Sequence, residues 1–210
     1  MSIQLYKYES RAGTPGGPLV FVFHGTGGDE SQLVPLAAQL VPSATVISPR
    51  GDVSEAGALR FFRRTGEGVY DMADLAQRTE AMGRFVAAHA ERHAARPVIG
   101  IGYSNGANIL ASLIFRQPEL FDAAVLMHPL IPFRPQIDGS LGKARLLITA
   151  GRRDPICPPP LTEALAKAFQ AAGAKVELAW HDGGHELRPS EVDAAAAFLA
   201  ALAKSRTQEA

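Results

Sequence analysis

The sequence predicts an α/β domain in which a mostly parallel central sheet carries helices on both faces. Three observations predict it. Short apolar runs recur along the whole chain and stop at turn residues. Three of them, LVFVF, VIGIG and RLLITA, are continuous rather than alternating, as parallel strands buried on both faces are. Segments of helical spacing separate the runs, and strands alternating with helices build parallel βαβ units.

The expected strands are Leu19–Phe23, Thr45–Ser48, Val98–Tyr103, Ala123–His128, Ala144–Ala150 and Lys175–Trp180. The clearest helix runs from about Tyr70 to Ala95. There Met72, Leu75, Ala76, Thr79, Met82, Gly83 and Val86 recur at three- and four-residue steps and form one apolar stripe. Pro97 closes it and restarts the chain as a strand. Further helices are expected over Ser31–Leu40, Asn105–Arg116, Leu161–Ala172 and Glu191–Ala203. Pro49–Gly68 fits neither period and reads as an extended loop, and Thr207–Ala210 as a frayed tail.

The 210 residues suit one domain, 1–210, with ample core at 47% hydrophobic residues. Basic and acidic side chains both total 21, so no charge excess points to nucleic acid or to an anionic membrane. No stretch approaches the roughly 18 apolar residues of a membrane span, and the N-terminus lacks the pattern of a signal peptide. The single cysteine, Cys157, permits no intrachain disulfide and is consistent with a reducing compartment. A cytoplasmic enzyme is the default expectation.

Gly102-Tyr103-Ser104-Asn105-Gly106 matches G-x-S-x-G. The pattern has a physical basis. A serine on a sharp strand-to-helix turn projects its hydroxyl from the sheet edge, and glycines two before and two after remove side chains that would clash. VIGIGY before it reads as a strand, and ANILASLIF after it as a helix. Ser104 is therefore the candidate nucleophile.

A serine hydroxyl needs a base, most often histidine. In folds with this turn the order is serine, acid, histidine. His181 and His185 both lie late, in HDGGHEL. His185 follows Gly183-Gly184 and has the freedom to reach the serine, so it is preferred over His181. His89 and His93 fall on or beside the polar face of the long helix and read as solvated. His128 ends an apolar strand close to the expected site. Asp154, after LLITAGRR and before Pro155, is the candidate acid; Asp138 competes, and Asp182 sits too close to His185. The acid would hold one imidazole tautomer and stabilise the imidazolium.

An acyl-transfer oxyanion needs backbone N–H donors. One is expected from Asn105, which follows the serine and opens a helix. The other is expected from His24-Gly25-Thr26-Gly27-Gly28, after the first strand, with Thr26 preferred and Gly27 the alternative. A phosphate loop would need a Lys-[Ser/Thr] pair, which is absent. His24 reads as structural.

Together HGTGGDE, GYSNGAN, GRRDPICP and GGHEL resemble the phospholipase/carboxylesterase family of small α/β-hydrolases, over roughly Leu19 to Leu199. RFFRRTGEGVYDMADL is similar to the bacterial branch that includes carboxylesterases associated with hydroquinone resistance. The resemblance implies the α/β-hydrolase fold without a large lid domain. It implies Ser104, Asp154 and His185 as triad, Thr26 and Asn105 as oxyanion donors, and short acyl or aryl esters as substrates. No cofactor and no metal are expected. Many members carry Trp-Phe where this chain has Phe61-Phe62.

Phe61, Phe62, Ile156 and Leu187 are the candidates for an apolar substrate pocket. Alternatively, the phenylalanine pair anchors the Pro49–Gly68 stretch to the core. Arg60, Arg63 and Arg64 would pair with Glu67, Asp71 and Asp74 on the surface, or attract an anionic substrate. Cys157 reads as a small buried apolar residue. A thioesterase or lysophospholipase would use the same triad, and a ligand-binding receptor could be built on the same fold. Dienelactone hydrolysis is a further reading, although those enzymes usually place cysteine where Ser104 stands. The partner expected is a small-molecule ester, with a homodimer through an apolar edge as an option.

Overall fold

The apolar runs do form a parallel sheet, and the computed structural model shows why they are continuous. It describes residues 3–94, 97–137 and 139–209. The strands of the main sheet are β1 (Tyr8–Arg11), β2 (Leu19–Phe23), β3 (Thr45–Pro49), β8 (Val98–Tyr103), β9 (Ala123–Met127), β10 (Arg145–Gly151) and β11 (Lys175–His181). Between β3 and β8 lie four short strands, β4 (Val53–Glu55), β5 (Ala58–Arg60), β6 (Arg64–Gly66) and β7 (Val69–Tyr70). The helices are α1 (Val34–Leu40), α2 (Met72–His93), α3 (Asn105–Arg116), α4 (Pro159–Ala171) and α5 (Pro189–Glu209).

The sheet runs in the order β1-β3-β2-β8-β9-β10-β11. All neighbours are parallel except β1, which pairs antiparallel with β3. Leu19, Phe21 and Phe23 of β2 enter a core with α2, α3 and α4, whereas Val20 and Val22 enter a second core with α1 and α5. Both faces of the strand are thus dry, and alternation disappears from the sequence. Each fully buried Val, Leu or Phe side chain contributes about 1.5–3 kcal/mol. No helix among the described residues is long and apolar enough to cross a membrane.

The strand order places the site. From β2 the chain passes through α1 to β3 on one side. From β8, the neighbour of β2 on its other side, it passes through α3 to β9 in the opposite direction. The connections diverge between β2 and β8, which opens a crevice at the carboxyl ends of these strands. The HGTGG segment follows β2, and Ser104 follows β8.

Several expectations change. The Pro49–Gly68 stretch holds the antiparallel hairpin β4–β5 and the first strand of a second, β6–β7, rather than an extended loop. The first turns at Ala56-Gly57, both at positive φ (48° and 89°). Such a turn suits two-residue hairpins, but Ala is a poor signal for it. Edge strand β1 is missing from the sequence reading because it is short and only partly buried. Residues 207–209 continue α5 instead of fraying, and Ala210 lies outside the described residues. In the α2 stripe, Leu75, Thr79, Met82, Gly83 and Val86 are buried, but Met72 and Ala76 are exposed.

His89 is not solvated. It is buried, with Tyr8, Phe21 and Phe85 packed edge-on around its ring. Burial, with smaller contributions from His93 and Arg92, pushes its pKa down to about 4. The folded protein therefore holds His89 neutral at pH values where the unfolded chain, near 6.5, already binds a proton. Stability should fall through this group as pH drops from about 6.5 to 4. His89→Phe should flatten that part of the decline. Urea midpoints of both proteins at pH 7 and pH 4.5 check this; equal losses would show that His89 carries none of it.

Candidate active site

Ser104 occupies the turn between β8 and α3 with φ 52° and ψ −116°. A left-handed conformation is costly for a residue with a Cβ and is retained where the surroundings impose it. Here the surroundings are explicit. The Ser104 N–H donates to Met127 O at 2.9 Å, and its carbonyl accepts from Asn108 N at 3.0 Å. A Cβ on Gly102 would lie 2.6 Å from Gly106 O, and one on Gly106 would lie 2.0 Å from Phe23 O. Only glycine at both positions lets α3 close onto β8 and β2.

The turn directs the hydroxyl at His185, whose Nε2 lies 2.9 Å from Ser104 Oγ. His185 Nδ1 lies 2.7 Å from Asp154 Oδ2. Asp154 is buried, and its other oxygen accepts the N–H groups of Ile156 (2.8 Å) and Cys157 (2.9 Å). Burial alone would push its pKa up. The Cys157 N–H, His128, His185 and the Ile156 N–H together hold it below the ordinary carboxylate value. The three residues predicted from the motifs are thus brought together in one hydrogen-bonded line. Asp138 lies outside the described residues. Tyr103 fixes the loop above, donating its hydroxyl to His185 O at 2.8 Å.

Thr26 and Asn105 both border the cleft beside Ser104. Their backbone N–H groups make no hydrogen bond among the described residues. The alternative donor, Gly27, is engaged by Leu59 O at 2.9 Å. His24 is structural in its contacts. Its Nδ1 lies 2.8 Å from Gly25 O, and its Nε2 accepts from Gly51 N at 2.9 Å, which fixes a neutral tautomer. Burial lowers its pKa, consistent with that state.

The cleft of about 430 Å³ corrects the expected pocket. Phe61 and Phe62 do not line it. Phe61 packs against Phe23 and His24, Phe62 packs against Tyr70, and both are fully in the core. The Phe61 N–H also donates to Asn105 Oδ1 at 2.8 Å, which ties this segment to the start of α3. Leu187 packs on the α1/α5 core instead. Ile156 does line the cleft, together with Arg60, Arg64, Tyr70 and Leu130. Arg60 is buried and donates to Thr26 Oγ1 at 2.9 Å. Arg60 and Arg64 both approach Glu55, at 3.5 and 2.9 Å, rather than the acids expected, and of these three arginines Arg63 alone reaches Asp74, at 3.9 Å.

A second set of polar groups adjoins Asp154. His128, wholly buried, lies with Nδ1 2.8 Å from Asp154 Oδ2 and Nε2 3.1 Å from Glu191 Oε1. Burial opposes charge on His128, but hydrogen bonds to Glu191 and Asp154 outweigh it and raise its pKa above the ordinary value. Burial likewise works against the Glu191 carboxylate, and His128 and Thr149 hold its pKa low. His181 Nε2 lies 3.2 Å from Glu191 Oε2, away from Ser104. The sequence hinted at His128, which ends a strand at the expected edge, but nothing in it marked Glu191.

Donor atoms of His128, His181 and Glu191 lie within 4.8 Å of one another, as do those of His128, Asp154 and His185. The first set does not suit a metal. Gly183 N–H donates to His181 Nδ1 at 3.0 Å, so the ring proton sits on Nε2, the atom facing the cluster. The second set shares His128, which meets a carboxylate at each nitrogen.

Known proteins resemble this chain over most of its length. MhqD of Bacillus subtilis (strain 168), a hydrolase by its name, is 38% identical over 179 residues, covering 84% of this chain and 90% of that protein. Among solved structures, Atu2452 from Agrobacterium tumefaciens str. C58, described as of unknown function, has 59% identity and a TM-score of 0.91, covering 96% of this chain and 98% of that one. The Bacillus cereus carboxylesterase has 38% identity and a TM-score of 0.88, with 92% of each chain covered. The profile of the dienelactone hydrolase family matches residues 58–207, a span holding Ser104, Asp154 and His185. The chain belongs to the dienelactone hydrolase family and is a hydrolase of the α/β-hydrolase fold with carboxylesterase-like relatives.

Proposed function

We propose that this protein is a serine carboxylic-ester hydrolase that works through an acyl-enzyme on short-chain acyl or aryl esters. The observation that carries the reading is the line from Ser104 Oγ through His185 to buried Asp154, at 2.9 and 2.7 Å, opening onto a cleft. Ser104 attacks the ester carbonyl while His185 takes its proton. Asp154 holds the imidazole with Nδ1 protonated and stabilises the imidazolium. The oxyanion is received by the N–H groups of Thr26 and Asn105, each such donor being worth about 3–4 kcal/mol in the transition state. His185 then protonates the leaving alcohol and later activates water for deacylation. The carboxylesterase among the structural relatives supports the substrate class. The modest cleft, polar along Arg60, Arg64 and Glu67, supports compact esters over long-chain lipids.

A panel of p-nitrophenyl acyl esters tests this. The acetate or butyrate should turn over faster than the laurate, and Ser104→Ala should lower kcat by at least about 10,000-fold. Ligand binding without turnover, or full rate in the alanine variant, would sink the esterase reading. Thioesters of matched acyl groups, run in parallel, would reveal a thioesterase by a higher kcat/KM.

Asp154→Asn should reduce kcat about 1,000- to 10,000-fold with an unchanged far-UV circular dichroism spectrum. Near-normal turnover would remove Asp154 from the triad. His181→Gln should cost far less than His185→Gln, because His181 faces Glu191 rather than Ser104. Equal losses in kcat would reverse that choice of base.

A further inference from the structure

Asp154 Oδ2 is shared. It lies 2.7 Å from His185 Nδ1 and 2.8 Å from His128 Nδ1. The opposite nitrogen of His128 meets Glu191 Oε1 at 3.1 Å. With both carboxylates held ionised, a neutral imidazole would point a lone pair at one of them, and the Nε2 contact to Glu191 at 3.1 Å is shorter than that to His181 Nε2 at 3.4 Å, so the contacts favour a proton on each nitrogen. A wholly buried cation persists only when paired, and here it has an anion at each end. Thr149 Oγ1, the Arg188 N–H and His181 Nε2 take the other acceptor sites of Glu191, at 2.6, 2.8 and 3.2 Å. His128 also adopts φ 51°, immediately after β9, a conformation uncommon outside glycine and of a kind that clusters at functional sites.

We propose that His128, held as an imidazolium between Asp154 and Glu191, is a positioning residue of the triad that keeps Asp154 ionised and oriented toward His185. This rests on the esterase reading above. The ring centroids of His128 and His185 are 5.0 Å apart, so the two imidazoles interact across one carboxylate oxygen. The other titratable groups facing His128 are His181 on β11, Tyr103 on β8 and Cys157, whose thiol donates to His128 O at 3.3 Å. Those facing His185 are Tyr103, Ser104 and Cys157, with Glu186 next in the chain and paired to Arg188. Among the charged groups in contact with Asp154 and Glu191 inside the fold, His128 is the buried cation. In the resting enzyme it offsets one of two buried carboxylates. When His185 takes the serine proton, the second carboxylate gains its countercharge.

His128→Asn separates charge from orientation. Asparagine tolerates positive φ, and its amide can still donate toward Asp154. The variant should lower kcat by less than about 10-fold with KM little changed. His128→Ala, which also loses the donor, should lower kcat about 10- to 100-fold with little change in KM. Equal kcat losses in His128→Asn and His128→Ala would overturn the proposal.

Nitrogen-15 NMR of the imidazoles in Ser104→Ala protein supplies a readout that needs neither catalysis nor a variant of His128. Both ring nitrogens of His128 should appear protonated at pH 7, and a neutral tautomer there would also overturn it. If wild-type protein hydrolyses no ester while His128 is an imidazolium, the esterase reading fails and the charge assignment stands.

Discussion

Much of the site depends on one carboxylate kept out of water. Asp154 accepts four hydrogen bonds, from the Ile156 and Cys157 N–H groups and from the rings of His128 and His185. These donors come from the end of β9, the loop after β10 and the loop after β11. A buried carboxylate is costly unless its lone pairs are occupied. The same bonds that stabilise its charge therefore join the three loops at the carboxyl edge of the sheet. Asp154 links fold and chemistry: the strands bring the donors together, and the donors fix the imidazole that faces Ser104.

The Ser104 side is held by backbone hydrogen bonds and close packing rather than by charge. Ser104 adopts a left-handed backbone because its N–H is drawn to β9 and its carbonyl to α3. Gly102 and Gly106 leave no room for a side chain between β8, α3 and β2. The helix can then start directly beneath the serine, where the Asn105 N–H remains without a helical partner. Strain at one residue is offset by packing of the whole α3 core, including Leu110 against Gly100.

The hairpins between β3 and α2 shape the cleft from above. Their phenylalanines are drawn into the core, with Phe61 on Phe23 and Phe62 on Tyr70. That leaves Arg60 and Arg64 facing the cavity, restrained by Glu55 and Thr26. The cleft wall is consequently more polar than the Phe-Phe pair suggests. Hydrophobic residues in a loop are as ready to anchor it as to meet a ligand, and here anchoring removes the larger apolar area from water.

What the chain determines locally was legible in its residues. Continuous apolar runs identified β2, β8 and β10, because strands buried on both faces need no polar alternation. The spacing of glycines around Ser104 identified the elbow, because that turn excludes side chains. The order of Ser104, Asp154 and His185 predicted three groups that the sheet does bring within hydrogen-bonding distance. Pairings over long sequence separations were not legible. The placement of Glu191 against His128, of His89 inside an aromatic cage, and of Phe61 beneath the cleft depends on which helix face meets which strand. No local pattern encodes that, since burial and hydrogen-bond partners are fixed only when the layers pack. The sequence by itself determined the parallel sheet, the elbow and the order of the candidate triad. The tertiary structure alone decided the charge network behind Asp154 and the polar wall of the cleft.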